Sequence, residues 1–428
     1  MRILPYLSAI LVFGTGWVSA QDTAALTLDQ LIQIGLDNNS DVRIAERNLS
    51  RARAEKRGSY AGLVPYLSTS LRQDMDPGKS YINPLTGSLV EPPVYGSAFS
   101  MNQTIFDGVA SWYDARSGTI GKEAADANLE GTRLQVVLDI KEAYYDLLSA
   151  VELLEVAEEA LELSQRQLEL VEERFRLQAV KETDLMKARV STGQREAEVH
   201  QAQQNVQIAV TSLQVAVGRD PSAPLNVARD SVSIQELPDR AAAQQAMMAN
   251  SPAIRGQKLA EDLAWLNAKK QRGAFFPSVN LSYSVNTSGA DVGDLYRASE
   301  SSTFLSFSVP IFTGMRNTSA YSRMRYAALA EGERLIGLER EFKRQLENTL
   351  SSLTSLHKVY PINQEVLASA EADARLANEQ YNLGAISILD LLDAQVSLIT
   401  ARSTLVRTTY DIKIAEARLE ALMGIESQ

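Results

Sequence analysis

The sequence predicts a mainly α protein with a small β part, built as a tandem repeat of a helix–strand–strand–helix unit. Three observations predict it: the chain aligns with itself, its long segments carry an unbroken heptad, and short segments between them alternate with period two. The self-alignment pairs Val42 with Ile254, Arg43 with Arg255 and Pro65 with Pro277 at an offset of 212. At an offset of 206, Phe106-Asp107-Gly108 pairs with Phe312-Thr313-Gly314, Phe175 with Tyr381, Asp184-Leu185 with Asp390-Leu391 and Gly218 with Gly424. The first half is therefore longer by six residues between Pro65 and Phe106, which marks a loop.

In chain order, residues 1–20 read as a signal peptide. Arg2 supplies the positive end, Ile3 to Val18 is apolar, and Val18-Ser19-Ala20 presents small residues before Gln21. A retained membrane anchor is the alternative, but this stretch is short and broken by Pro5, Gly14 and Gly16. The first repeat spans 21–220, with strands at about 66–73 and 97–106, a long helix at about 109–177 and a shorter one at about 183–217. A linker follows at 221–240. The second repeat spans 241–428, with strands at about 278–286 and 303–312 and helices at about 315–383 and 388–423.

The helices carry coiled-coil seams. Ile140, Leu147, Leu154, Leu161, Leu168 and Phe175 recur every seven residues, with Ala143, Ala150, Ala157, Ser164 and Val171 three behind them. Leu391, Leu398, Leu405, Ile412 and Leu419 do the same in the second half. A strict 3.5-residue period means left-handed supercoiling with interlocked side chains. The first long helix contains no proline and would reach roughly 100 Å at 1.5 Å per residue. Its counterpart contains Pro361, where a kink or local unwinding is expected.

The strands have one apolar and one small, hydroxylic face. Val279, Leu281, Tyr283 and Val285 oppose Asn280, Ser282, Ser284 and Asn286. Leu305, Phe307, Val309 and Ile311 oppose Ser306, Ser308 and Pro310. In the first half Leu67, Thr69 and Leu71 oppose Ser68, Ser70 and Arg72, and Phe99, Met101 and Ile105 oppose Ser100, Asn102 and Thr104. Such faces suit a wall between lipid and water-filled space, although a soluble sandwich would alternate too. Turn-rich loops at 74–95 and 287–302 separate the paired strands. Phe106, Trp112, Tyr113, Phe312, Tyr321 and Tyr326 cluster where strand meets helix, as an interfacial girdle or as junction core.

Four strands cannot close a spanning barrel, and lipid does not tolerate an open edge. Copies must therefore share one barrel. Two would give eight strands around a packed interior, and three would give twelve around a passage.

Composition removes other functions. The 428 residues carry 42 Lys and Arg against 53 Asp and Glu, a net charge of −11, so nucleic acid is not an expected partner. There is no cysteine, hence no disulfide, thiolate site or lipoprotein cysteine. His200 and His357 stand on helices without a paired ligand pattern, so no metal, cofactor or enzymatic activity is expected. The acidic run Glu152, Glu155, Glu158, Glu159 and Glu162 reads as a solvated helix face.

The duplicated break sequences carry a resemblance. Arg174-Phe175-Arg176-Leu177 leads to Thr183-Asp184-Leu185-Met186-Lys187-Ala188, and Gln380-Tyr381-Asn382-Leu383-Gly384 leads to Asp390-Leu391-Leu392-Asp393-Ala394. With the tandem repeat, these segments make the chain similar to TolC-like outer membrane efflux proteins over essentially all its mature length. The resemblance implies a homotrimer whose twelve-stranded β-barrel continues into a twelve-helix α-barrel. It implies a location in the outer membrane with a periplasmic extension, and a passive role in tripartite efflux or type I secretion. It places an equatorial region at the linker and the breaks at the periplasmic end. There Leu177, Gln178, Gly384 and Ala385 would meet an adaptor protein serving an inner-membrane RND or ABC transporter.

The resemblance further implies that Asp390 and Asp393 narrow the entrance, with Thr183 and Asp184 as polar positions beside them. Tyr381 would hold the entrance closed. Ile386 departs from the family's basic closing residue. Independently of the family, Asp390 and Asp393 lie three apart on one helix face, and threefold symmetry would set six carboxylates around one axis. Like charges so placed raise one another's pKa and attract cations, whereas the plainer reading is two first-turn acids favoured by the helix dipole. A structural periplasmic coiled coil or adhesin is the alternative to transport.

Overall fold

The structure is a computed structural model that describes residues 25–76, 78–90, 92–229, 233–296 and 300–425. The signal-peptide reading of residues 1–20 lies outside them. The first repeat runs α1 (Leu28–Asn38), α2 (Ser40–Gly58), β1 (Tyr66–Gln73), a small hairpin β2 (Tyr81–Ile82) and β3 (Leu89–Val90), β4 (Tyr95–Phe106), α3 (Ala110–Arg176) and α4 (Glu182–Ala216). The second runs α5 (Arg240–Asn250), α6 (Pro252–Arg272), β5 (Ser278–Gly289), β6 (Glu300–Ser308), α7 (Arg316–Asn382) and α8 (Ile388–Met423). Among the described residues no helix is long and apolar enough to cross a membrane.

The fold is mainly helical with a small four-stranded sheet beside the β2–β3 hairpin, as the duplicated pattern requires. β1, β4, β5 and β6 form an antiparallel sheet in that order, so β1 and β6 are its free edges. β6 stops at Ser308, short of the expected 312: Pro310 has no N–H to offer a ladder, and Val309 and Ile311 fall outside the strand. A register shift between Thr104 and Phe106 precedes the last β4–β5 pair, Phe106 with Val279, and the chain then turns into α3. That turn needs left-handed backbone at Gly108 (φ 69°) and Val109 (φ 67°), repeated at Gly314 (φ 59°) and Met315 (φ 63°).

The helix pairs ahead of the strands have no bounds in the sequence reading. Each begins on a side-chain cap: Thr27 on α1, Asn39 on α2, Asp239 on α5 and Ser251 on α6. They build two equivalent cores. In the first, Leu31, Val42 and Leu49 pack on Ile140, Tyr144, Leu147 and Leu213. In the second, Ala243 and Met247 pack on Leu346, Leu350, Leu353, Ile412 and Leu419. The linker crosses between them, with Leu26 accepting from Ala228 N (2.8 Å) and donating to Asn226 O (3.0 Å).

Two expectations are refined. Of the kink or local unwinding expected at Pro361, the unwinding does not occur, because α7 runs as one helix through it. Packing secures it on both sides: Leu356 and Tyr360 lie on the second core, and Asn363 Nδ2 donates to Thr408 Oγ1 on α8 (2.9 Å). The acidic run is largely exposed, as expected, and much of it is also paired, partly because its face meets α8 and the linker. Glu152 accepts from the Tyr410 hydroxyl (2.5 Å), Glu155 pairs with Arg229 (2.6 Å), Glu159 with Arg402 (2.7 Å) and Glu162 with Arg166.

Candidate functional site

Both helix breaks are the same hydrogen-bonded motif. After α3, Gln178 N donates to Phe175 O (2.9 Å) and Ala179 N to Arg174 O (2.8 Å), with Gln178 left-handed at φ 58°. After α7, Gly384 N donates to Tyr381 O (3.0 Å) and Ala385 N to Gln380 O (2.9 Å), with Gly384 at φ 73°. These are Schellman turns, which satisfy the last carbonyls of each long helix and reverse the chain. The turn lifts a leucine into solvent in each repeat: Leu177 is 80% exposed and Leu383 84%.

Beneath the turns, Val171, Leu185, Ala188, Ala377, Tyr381, Ile388, Leu391 and Ala394 form one cluster that ties the two helical hairpins together, with Ile386 packed against it. Tyr381 is buried there. The Arg174 guanidinium lies over its ring, 5.1 Å from the centroid, and donates to Tyr381 O (3.4 Å), Asn382 O (3.4 Å) and Asn382 Oδ1 (3.3 Å). Arg174 thus combines a cation–π contact with neutralising the C-terminal end of α7. Burial pushes the Tyr381 phenol above its ordinary value, with nearby Asp184 adding to the rise and Arg174 opposing it. The sequence reading quoted Arg174 within the motif and gave it no role, and no local pattern shows that it reaches across to α7.

The predicted entrance acids separate into two groups. Asp184 is half-buried near Tyr381, and Thr183 is exposed beside it. Asp390 and Asp393 are both exposed on α8. Asp390 closes a capping box with Ser387: its carboxylate accepts from Ser387 N (3.0 Å) and Oγ (2.8 Å), while Ser387 Oγ accepts from Asp390 N (3.3 Å). Within the protomer these bonds hold the Asp390 carboxyl below its ordinary value. The structure therefore assigns Asp390 a local helix-starting role in addition to any role in a pore.

The sheet's hydroxylic face is continuous across all four strands. Ser68, Ser100, Ser284 and Ser302 form one transverse row, bonded Ser68–Ser100 (2.7 Å) and Ser284–Ser302 (2.9 Å). The next row contains Asn102 and Ser282, where the serine hydroxyl donates to Asn102 Oδ1 (2.9 Å). Phe304, opposite Ser282 and 64% exposed, is an aromatic on this polar face. The sequence reading missed it, although Phe304 interrupts the alternating serines Ser302, Ser306 and Ser308. On the opposite face Leu67, Leu71, Leu305 and Phe307 are exposed together, a broad apolar surface. Among the described residues no cluster of His, Cys, Asp and Glu could hold a metal ion.

Comparison with known proteins agrees with this geometry. The Cation efflux system protein CusC of Escherichia coli K12 is 24% identical over 402 residues, covering 92% of this chain and 85% of its own length. The Toluene efflux pump outer membrane protein TtgC of Pseudomonas putida is 24% identical over 428 residues, covering 93% and 82%. The fold is that of the solved Campylobacter jejuni CmeC outer membrane channel, with a TM-score of 0.83 at 18% identity over 99% of this chain and 94% of that one. The sequence profile of the outer membrane efflux protein family matches residues 31–219 and 243–425, one repeat each, and the chain belongs to that family.

Proposed function

We propose that three copies of this chain form a passive exit duct across the outer membrane, prolonged by its helices into the periplasm. The observation that carries this is the pair of free sheet edges, β1 and β6, on a sheet with an apolar outer and a hydroxylic inner face. Unpaired edge groups cost several kcal/mol each in lipid, so each edge needs the other edge of a neighbouring copy. Three copies supply twelve strands, enough for a water-filled bore. Detergent extraction from outer membranes should yield a trimer that resists SDS when cold and dissociates on heating. A water-soluble monomer would refute the reading.

The helix breaks form the duct's inner end. The exposed Leu177 and Leu383, with Gln178, Gly384 and Ala385, are the adaptor-docking tips, and an RND or ABC transporter in the inner membrane supplies the energy. Serines and asparagines dominate the lining, with Arg72 and Glu300 as its charged members, which suits a generic duct. Relatives named for cations and for toluene fit cargo choice by the pump. Outer membrane lipid is the remaining partner.

Asp390, Asp393, Thr183 and Asp184 line the entrance in this reading, with Tyr381 holding it closed. Replacing Asp390 and Asp393 together by Ala should raise single-channel conductance and weaken block by divalent cations. In the unaltered protein the block should persist as pH falls through the ordinary carboxylate range, because Ser387 keeps Asp390 ionised. The same depression means that the capping box adds stability in full above about pH 4, and loses it only as pH falls through the lowered value. Planar-bilayer recordings between pH 3 and 7 check both outcomes.

A further inference from the structure

The tandem repeat makes the contacts inside one protomer a template for the contacts between protomers. Around the helical part the packing order is α4, α3, α8, α7, and above it α2, α3, α6, α7. The offset of 206 carries α3 onto α7 and α4 onto α8, and that of 212 carries α2 onto α6. In a trimer, which this inference takes from the function proposed above, the α3–α8 seam inside a protomer recurs as α7 against α4 of the next copy. The α3–α6 seam likewise recurs as α7 against α2 of the next copy.

The free face of α7 has the shape of a seam. Ile362 and Val366 are 57% and 49% exposed, yet their counterparts on α3 are Val156, which lies beside Arg402 and Leu405 of α8, and Ala160, which is buried. The charges, however, are not repeated. Inside the protomer, α3 holds α8 through Glu159–Arg402 (2.7 Å), Glu142–Arg418 (2.6 Å) and Lys141–Glu420 (2.6 Å). It holds α6 through Asp114–Lys270 (2.6 Å) and Glu130–Arg255. Carried to the junction between copies, the three α8 pairs become Glu365 with Glu196, Asn348 with Ser212, and Glu347 with Gln214. The two α6 pairs become Ala320 with Gly58 and Ile336 with Arg43. None is a pair of opposite charges, and Glu365 with Glu196 is a pair of like charges, repeated three times around the ring.

We propose that the helical barrel has two unequal seams: ion pairs clamp the one within each protomer, while Glu365 of one copy faces Glu196 of the next, making the seam between copies the one that yields first. Apolar contacts along α7 hold that seam together, and the facing carboxylates oppose them. Both residues are exposed in the protomer, so charge reversal leaves its core untouched. Like charges at close range repel and opposite charges attract with similar strength.

The test is a charge-reversal cycle on the full-length trimer in detergent: Glu196→Lys, Glu365→Lys and both together. Each single change should raise the temperature at which the trimer dissociates in SDS by a few degrees, having created a Lys–Glu pair at each of the three junctions. The double change restores like charge and should return the temperature to that of the parent or below. Single changes that leave the temperature unmoved or lower it, or a double change equal to the sum of the singles, overturn the proposal while leaving the trimer intact. A parent protein that is not a trimer defeats instead the function proposed above.

Discussion

Gly108→Ala is expected to abolish the outer-membrane trimer. A Cβ at this position would lie 2.3 Å from the carbonyl oxygen of Gly273 and 2.8 Å from its Cα, with φ at +69°. The obstacle is backbone at the end of α6, not a side chain that can rotate away. The two glycines cross where β4 turns into α3, so relief would require moving either the sheet or the helix that supports it. Overpacking costs typically 1–3 kcal/mol, and a left-handed backbone adds about 1–2 for a residue with a Cβ. Gly78→Ala separates the two terms: its φ is +77°, but no atom lies within 4 Å, so it bears strain alone. The Gly78 variant should give near-normal amounts of heat-dissociable trimer in outer-membrane fractions, and the Gly108 variant little or none. Equal yields would mean that the glycine crossing is not needed to join barrel and helices.

The fold was legible because its physics is periodic. Ile140, Leu147, Leu391 and Ile412 are seam residues by spacing alone, and they are buried. Gly218 and Gly424 matched at one offset, and both take left-handed φ where α4 and α8 end. What the sequence did not show is contact between distant segments. The pairing of the largely exposed acidic face of α3 shows only when Tyr410, Arg402 and Arg229 arrive from α8 and the linker. Pro361 reads as a kink or local unwinding, and the helix continues through it with α8 packed beside it.

Of the candidate site, the positions of the breaks and their exposed tips were readable, since a Schellman turn needs only local sequence. Gly384 announced one, while Gln178 concealed the other, its left-handed backbone following from the alignment of the repeats rather than from residue type. The role of Arg174 was not readable, because its partners lie more than two hundred residues away. Phe304 was legible in principle, as a single large ring among alternating serines.

Arg174→Ala should then open the entrance. Arg174 is the cation that reaches Tyr381 at this junction, where Ile386 packs as an apolar neighbour. Its removal leaves Tyr381 without the cation over its ring, its hydroxyl still buried with no hydrogen-bond partner among the described residues, and the last turn of α7 without a balancing positive charge. A cation–π contact contributes about 0.5–2 kcal/mol and a charge at a helix end about 0.3–1. Together, on the order of 2 kcal/mol corresponds to roughly a thirtyfold shift between closed and open arrangements. Planar-bilayer recordings should therefore show higher conductance or longer openings, and cells carrying the variant should admit bulky antibiotics that the unaltered duct excludes. Arg174→Lys keeps the charge but loses the planar fork, so it should fall between the two. Because the fault lies at the tip, trimer yield and dissociation temperature should stay near those of the unaltered protein, which distinguishes a released latch from a misfolded barrel. Unchanged conductance in Arg174→Ala would show that the contact merely fastens α3 to α7 and takes no part in closing the entrance.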